Sequence, residues 1–183
     1  TNAPMQETLA AAVILATGWK AGENFVNPMC GSGTLAIEAA LLGLNVAPGL
    51  LRENFGLLHL KGVDRAAWSS LRAKAHGEMR PRIEGKIIAT DSDPEAVRAS
   101  RSIAARAGVD DQITFQRCDF ASTPMPPPPG VVIVNPWYGE REGEQEELAK
   151  DYGALGDYFK QQCGGYRGYV FTGNSELAKR VGL

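Results

Sequence analysis

Four apolar residues, Val-Val-Ile-Val at positions 131–134, are followed directly by Asn135 and Pro136. An unbroken run of this kind, rich in β-branched residues, is typical of a strand that is buried on both faces of a parallel sheet. Proline has no N–H to donate and disfavours a helical conformation in the residue before it, so the chain must turn where this strand ends. Open α/β sheets bind their ligands at the carboxyl ends of their strands. We therefore expect Asn135 and its neighbours to lie in a ligand site.

Strand-like and helix-like patterns alternate along the rest of the chain. This alternation predicts a doubly wound, mostly parallel α/β sheet in a single domain. Residues 65–77 are expected to form an amphipathic helix that buries Trp68 and Leu71 together with two alanines, Ala67 and Ala75. The other strands are predicted at residues 25–27, 86–90, 113–117 and 166–172, and the other helices at residues 8–15, 35–42, 95–107 and 148–163, with a short helix up to residue 181.

The composition excludes several classes of protein. A net charge of -2 over 183 residues provides no overall basic field, so any nucleic-acid substrate must be held by a local patch or a partner domain. The three cysteines are far apart and the two histidines have no cysteine beside them, so we expect neither a disulfide framework nor a metal site. No apolar run is long enough for a membrane span, and we expect a cytoplasmic protein.

A glycine-rich turn follows the first predicted strand. Gly31-Ser32-Gly33-Thr34 leads into an apolar helix, and a strand, a glycine turn and a helix in this order present backbone N–H groups to a ligand. A nicotinamide-binding fold would place an acidic residue about 20 positions later, whereas the next acidic strand end here is Asp91. A purely structural turn is the alternative interpretation.

Two acidic residues end the next two predicted strands. Asp91 could accept hydrogen bonds from both hydroxyls of a ribose, and Asp119 could accept one from an adenine amino group. The structural alternatives are a helix-capping or turn residue for Asp91 and a turn residue for Asp119. The run 140–147, which is rich in glutamate, is expected to be a solvated loop or helix start rather than a metal cluster.

Asn135 could orient an aromatic amine for reaction with an electrophile. An aromatic amine is a poor nucleophile because its lone pair is delocalised into the ring. If the side-chain oxygen of Asn135 and the carbonyl of Pro136 each accept one amine hydrogen, the lone pair can point at an electrophile. Tyr138 would stack on the base. The alternative is an Asn-Pro turn beside two core aromatic residues.

Taken together, these motifs resemble the class I S-adenosylmethionine (SAM)-dependent RNA methyltransferases of the THUMP-associated family. Within that family the chain is most similar to the amino-terminal methyltransferase domain of the bacterial large-subunit ribosomal RNA guanine-N2 methyltransferases. The resemblance extends over nearly the whole chain. It includes residues 7–11, 27–34 and 37–40, the Ala-Pro-Gly loop at 47–49 with Trp68, and residues 91–94, 135–141 and 169–174.

The resemblance implies a Rossmann-like domain that lacks its last strand pair and is a fragment of a longer protein. It implies SAM as the cofactor, RNA as the partner through a THUMP-type domain outside these residues, and no membrane or metal. The implied catalytic residues are Asn135, Pro136 and Tyr138. The implied cofactor-binding residues are Asn27, Pro28, Cys30, Gly31, Ser32, Gly33, Thr34, Asp91, Ser92, Asp119, Phe120 and Asn135.

The sequence departs from the family pattern at three positions. Asn27 stands where the family usually has Asp, Trp137 where it usually has Pro, and Gln6 where it tends to have Arg. Other functions also stay open on the residues alone. They are methylation of adenine N6 or of a glutamine amide, a non-catalytic RNA-binding or ribosome-assembly module, and a nicotinamide dehydrogenase. The modified nucleotide and the oligomeric state do not follow from the sequence.

Overall fold

The structure of the protein is a computed structural model that describes residues 5–137 and 145–183, without the side chain of Gln145. Two features singled out in the sequence, Tyr138 and most of the acidic run at 140–147, therefore lie outside the described residues. All statements below on neighbours and contacts concern the described part of the chain.

The described strands form one five-stranded sheet in which every neighbouring pair is parallel. The order β3-β2-β1-β4-β5 places the glycine-turn strand in the centre, next to the strand that ends at Asn135. The predicted doubly wound parallel sheet is confirmed. The strands are β1 (Asn24–Asn27), β2 (Ile87–Asp91), β3 (Ile113–Arg117), β4 (Gly130–Val134) and β5 (Tyr166–Val170).

The described residues contain six α-helices, of which α2 to α5 lie between strands in the sequence. α5 begins three residues before the predicted start, and β5 ends two residues before the predicted end, as is usual at element boundaries. The helices are α1 (Glu7–Ala16), α2 (Thr34–Gly43), α3 (Arg65–Gly77), α4 (Pro94–Ala107), α5 (Gln145–Gln162) and α6 (Ser175–Arg180). Short 3₁₀ turns lie at Pro48–Leu51, Gly56–His59, Asp110–Gln112 and Phe120–Ser122.

The core has two layers because alternate side chains of a strand point to opposite faces of the sheet. One layer contains Phe25, Val131 and Ile133 and packs against α1, α2 and α4. The other contains Val132 and Val134 and packs against α5 and α6. β4 is buried along its whole length, as its unbroken apolar run predicts.

The expectation that α3 buries an apolar face is wrong. No residue of α3 is buried, and Leu71 is 58% exposed. Trp68 is half-buried, but its partner is Phe55 of the preceding loop, with ring centroids 4.8 Å apart, rather than the core. The spacing of the apolar residues predicted the helix, whereas a burial partner depends on which elements lie beside it, and α3 lies outside both core layers.

The described helices include none that is long and apolar enough to cross a membrane. α5 is the longest, with 18 residues, and it carries charged residues along its length.

Candidate active site at the carboxyl edge of the sheet

The glycine-rich turn between β1 and α2 is held to the neighbouring strand by backbone hydrogen bonds. The N–H of Cys30 donates to the carbonyl of Thr90 at the end of β2 (2.9 Å), and the N–H of Gly33 closes the turn on the carbonyl of Cys30 (2.8 Å). The hydroxyls of Ser32 and Thr34 are hydrogen-bonded to each other (2.9 Å). The turn is thus a defined loop, and the amino terminus of α2 directly follows it.

Two glycines of the turn have left-handed backbone conformations for which side chains are poorly suited. Gly31 has φ +55° and Gly33 has φ +76°. A Cβ at Gly33 would also lie 2.7 Å from the Cβ of Ser100, a fully buried residue of α4. Gly33 therefore permits the close packing of α4 on the turn, whereas a Cβ at Gly31 would point into open space.

Asp91, at the end of β2, contacts the turn directly. Its Oδ2 accepts a hydrogen bond from the N–H of Gly31 (2.9 Å), and its Oδ1 accepts one from the N–H of Asp93 (3.0 Å). Each carboxylate oxygen has two lone pairs, so the partly exposed Asp91 keeps acceptor capacity for a ligand. The capping role considered for this region belongs to Asp93, whose side chain accepts from the N–H of Glu95 at the start of α4 (2.9 Å). Ser92, between the two acids, is exposed.

Asp119 and Phe120 lie at the end of the edge strand β3. The two strand ends are joined by a hydrogen bond from the N–H of Cys118 to the carbonyl of Asp91 (3.0 Å). The Oδ1 of Asp119 accepts from the N–H of Ala121 (2.9 Å), so the turn role is real for this exposed residue, and its role toward adenine stays a prediction. Phe120 is half-buried with its ring edge-on to Tyr158 (centroids 5.8 Å apart).

Asn27 connects the glycine-turn strand to β4. The residue is 1% exposed, and its Nδ2 donates to the carbonyl of Ile133 (3.0 Å) and, at 3.4 Å, to that of the buried Pro28. Its Oδ1 is buried and has no hydrogen-bond partner among the described residues. Reasoning from the sequence placed Asn27 at the cofactor but did not predict this link between strands, since partners 106 positions apart leave no local signal.

Asn135, Pro136 and Trp137 follow β4 at the same edge. Asn135 is half-buried, Pro136 is buried, and the indole of Trp137 is 53% exposed. β4 is the direct neighbour of β1, with Val26 opposite Val132, and the N–H of Phe171 donates to the carbonyl of Val134 (2.8 Å) on the other side. Asn135 therefore emerges between two fixed strand ends, next to the strand that leads into the glycine turn.

The thiol of Cys30 is expected to be unreactive. Burial, together with the negative charge of Asp91, raises the pKa of Cys30 to about 12. A thiol with this pKa is neutral at physiological pH and is a poor nucleophile. Cys30 thus contributes a small, weakly polar side chain to the turn. In the described part of the chain no group of three or more His, Cys, Asp and Glu side chains could hold a metal ion.

The residues at this edge fit a nucleoside cofactor that also carries an ammonium group. The buried Oδ1 of Asn27 has no donor among the described residues, and an ammonium would supply one. The carboxylate of Asp91 can accept from a pair of hydroxyls. The backbone amides at the start of α2 suit a carboxylate. SAM carries all three groups. Its amino acid end has the ammonium and the carboxylate, and its ribose has the pair of hydroxyls.

Comparison with known proteins decides which family this architecture represents. The sequence model of UPF0020, described as an RMKL-like methyltransferase domain, matches residues 1–183. The chain belongs to this family. The predicted resemblance to methyltransferases, and with it the Rossmann-like fold, is confirmed.

Individual members of the family agree with this assignment. The ribosomal RNA large subunit methyltransferase K/L of Vibrio campbellii is 37% identical over 181 residues, which cover 96% of this chain and 26% of the relative. The structure of SMU.472, solved as a complex with SAH, is 31% identical with a TM-score of 0.91, and the match covers 100% of this chain and 48% of the other. The structure of a protein from Listeria monocytogenes, named as a predicted N6-adenine-specific DNA methylase, is 33% identical with a TM-score of 0.88. The match covers 100% of this chain and 47% of the other.

The chain spans about a quarter of the Vibrio relative and about half of the two solved chains.

Proposed function

We propose that this chain is the catalytic domain of a SAM-dependent RNA N-methyltransferase that methylates an exocyclic amine, guanine N2 of large-subunit ribosomal RNA. The observation that supports this most is the adjacency of the Asn135-Pro136 pair to the glycine turn, on neighbouring parallel strands. The complex of the relative SMU.472 with SAH, the product of SAM after methyl transfer, supports the cofactor. The name of the Vibrio relative supports the ribosomal substrate.

When bound, SAM supplies a methyl group on a positively charged sulfur, which is an electrophile. The turn from Cys30 to Thr34 holds the methionine end, Asn27 Oδ1 accepts from its ammonium group, and Asp91 holds the ribose. Asp119, with Phe120 beside it, holds the adenine. These roles are assigned from the chemistry of the donor and acceptor groups at the edge.

Asn135 and Pro136 act on the target amine. The Asn135 Oδ1 and the Pro136 carbonyl each accept one N–H of the amine, so its nitrogen becomes pyramidal and its lone pair points at the methyl group. The nitrogen would gain the methyl group as the methyl–sulfur bond of SAM breaks and leaves SAH. The proton that the amine then releases would pass to solvent, because neither an amide nor a peptide carbonyl is basic enough to keep it. Catalysis then depends on position and on fixed dipoles. Tyr138 is assigned the stacking role on the base from its place in the sequence alone.

RNA recognition through a THUMP-type domain outside these 183 residues is part of the proposal, as the sequence resemblance implies. A ribosomal RNA substrate also goes with the cytoplasmic location expected from the sequence.

Adenine N6 methylation is the second candidate, because the Listeria relative bears the name of an adenine methylase. The exocyclic amines of guanine and adenine are both planar NH₂ groups, and two acceptors can orient either one.

The decisive experiment incubates the full-length protein with undermethylated large-subunit ribosomal RNA and labelled SAM, followed by mapping of the modified base. We expect label on guanine N2. Label on adenine N6 would replace the substrate assignment. An absence of label, together with calorimetric binding of SAH, would leave a cofactor-binding module without transfer activity.

A further inference from the structure

The segment between α2 and β2, residues 47–86, differs in charge from the rest of the molecule. It contains eight of the 19 Lys and Arg residues but only four of the 21 Asp and Glu residues. This α2–β2 segment therefore carries four net positive charges, whereas the remainder of the chain carries six net negative ones. None of its residues is buried, so its charges face solvent.

Three arginines of this segment surround an aromatic pair. The guanidinium of Arg52 lies over the ring of Phe55 (5.4 Å to the centroid), and Phe55 packs edge-on against Trp68 of α3. Arg65 and Arg72 lie three residues before and four residues after Trp68, so they flank it on one side of the helix. We call Arg52, Phe55, Arg65, Trp68 and Arg72 the arginine–aromatic surface.

These arginines are held in place without being neutralised. Arg65 donates to the carbonyl of Leu58 (2.8 Å) and Arg72 to the carbonyl of Arg52 (3.2 Å). Neither they nor Arg52 form an ion pair with a described residue; the ion pair within the segment joins Lys74 and Glu78 at 3.9 Å. A main-chain carbonyl fixes one edge of a guanidinium and leaves its charge and its other donors available.

The nearby carboxylates do not cancel this charge. Asp64 precedes Arg65, but its Oδ1 accepts from the N–H groups of Ala66 and Ala67 and caps α3. Glu53 is exposed beside Arg52 in the sequence, and Glu78 pairs with Lys74 at the other end of α3. The surface thus has three positive charges and one adjacent free carboxylate, that of Glu53.

The segment that carries the surface is joined to the carboxyl end of α2, whereas the glycine turn precedes the amino end of that helix. The segment starts after α2, whose ten residues span about 15 Å. Its far end is tied to the end of α2, where Arg80 donates from its backbone N–H to Leu44 (2.8 Å) and from its guanidinium to Gly43 (3.0 Å). Arginines interleaved with aromatic rings suit the phosphates of a folded RNA.

We propose that the arginine–aromatic surface binds the phosphate backbone of the RNA substrate, outside the catalytic site. This inference rests on the proposed function for the identity of the substrate. It adds a sequence-independent contact made by this domain itself.

The test compares RNA binding by two double variants of the full-length protein. Arg65→Gln with Arg72→Gln removes two charges but keeps amide donors for the carbonyls; Arg65→Lys with Arg72→Lys keeps the charges. Binding of a fluorescein-labelled RNA stem–loop is measured by anisotropy over a series of salt concentrations, without SAM. For the Gln variant we expect about tenfold or greater loss of affinity, and a slope of log K against log salt that is shallower by roughly 0.7–0.9 per lost phosphate contact. The Lys variant should stay within a few-fold of the unaltered protein.

A matched control removes two charges elsewhere. Lys20 and Lys160 are exposed and lie outside the segment, so Lys20→Gln with Lys160→Gln gives the same net charge as the Gln variant. Affinity for SAH and the thermal midpoint report whether each variant is folded.

Each other result overturns the inference. An equal loss of RNA affinity in the Lys20/Lys160 control would mean that only the net charge of the protein matters. An equal loss of affinity in the Lys variant would mean that the guanidinium groups of Arg65 and Arg72 have a structural role. An unchanged slope in the Gln variant, or no salt-dependent RNA binding by the unaltered protein, would mean that the surface faces another partner, such as an acidic protein. Because RNA binding is measured without methyl transfer, the comparison of RNA affinities can be interpreted even if the proposed activity is not found.

Discussion

At the scale of single residues, the site relies on groups that are already held by the protein. Asp91 accepts from the Gly31 and Asp93 amides, and Asn27 links β1 to β4 through Ile133. Such hydrogen bonds fix the side chains before a ligand arrives, which lowers the cost of ordering them on binding.

Replacement of Asn135 by Ala should abolish methyl transfer. The variant loses the acceptor that orients the amine, and removal of one preorganised group of this kind typically costs about a hundredfold or more in kcat. Affinity for SAH, measured by calorimetry, should stay within a few-fold. Near-normal turnover would remove Asn135 from the mechanism.

Replacement of Asp91 by Ala should weaken SAH binding by roughly ten- to a hundredfold, as expected for the loss of charged hydrogen bonds. Asp93→Ala is the matched control, because Asp93 is exposed and caps α4. It should lower the free energy of unfolding while affinity is retained. Similar affinities for the two variants would place the ribose elsewhere.

The single-turnover rate of methyl transfer should change little between about pH 6 and pH 8. Asn135 and the Pro136 carbonyl do not titrate, and Cys30, with its pKa raised to about 12, keeps its proton throughout this range. Rapid-quench measurements with saturating SAM provide the profile. A steep rise with pH would indicate a general base that the proposed mechanism lacks.

At the scale of elements, the close approach of α4 to the glycine turn decides the geometry of the site. Gly33 has the left-handed conformation that ends the turn, and its missing side chain admits Ser100. The end of β2 is tied to the same turn through Thr90 and Asp91. Turn, helix and strand end therefore form one packed unit.

Replacement of Gly33 by Ala should destabilise the fold by about 2–4 kcal/mol, because the new Cβ meets Ser100 and the left-handed conformation also becomes costly. Gly31→Ala incurs only the cost of the conformation, about 1–2 kcal/mol, since no atom of the described residues lies within 4 Å of its Cβ. Urea denaturation compares the two variants. Equal losses would show that the contact with Ser100 relaxes freely.

At the scale of the whole molecule, a two-layer core carries a long segment in which no residue is fully buried. Residues 47–86 follow α2 and precede β2, yet all of them are at least partly exposed. Burial of apolar area is the main stabilising term in folding, so this part of the molecule has little resistance of its own to opening.

Backbone amides of α3 should exchange hydrogen much faster than those of β1 and β4. Local opening of α3 breaks only the capping hydrogen bonds and contacts of that helix, whereas exposure of the central strands requires unfolding of the whole domain. Mass spectrometry of exchange in the absence of RNA tests this expectation. Equal protection of α3 and β4 would mean that the segment belongs to the same cooperative unit.

Much of this protein could be predicted from its sequence because local patterns determined it. The run at 131–134 predicted a buried strand, and the glycines around Ser32 predicted a turn before a helix. Backbone sterics and side-chain periodicity act over a few residues, and they suffice for these features. The positions of Asp91 and Asn135 at one edge followed from the direction of parallel strands.

Other features depended on contacts between distant parts of the chain, which only the tertiary structure decides. The spacing of Trp68 and Leu71 predicted a helix, but no neighbouring element covers Leu71. The hydrogen bond from Asn27 to Ile133 and the contact between Gly33 and Ser100 join residues that are far apart in sequence. A side chain's periodicity determines which face of an element it occupies, whereas its partner is determined by the packing of all the elements together.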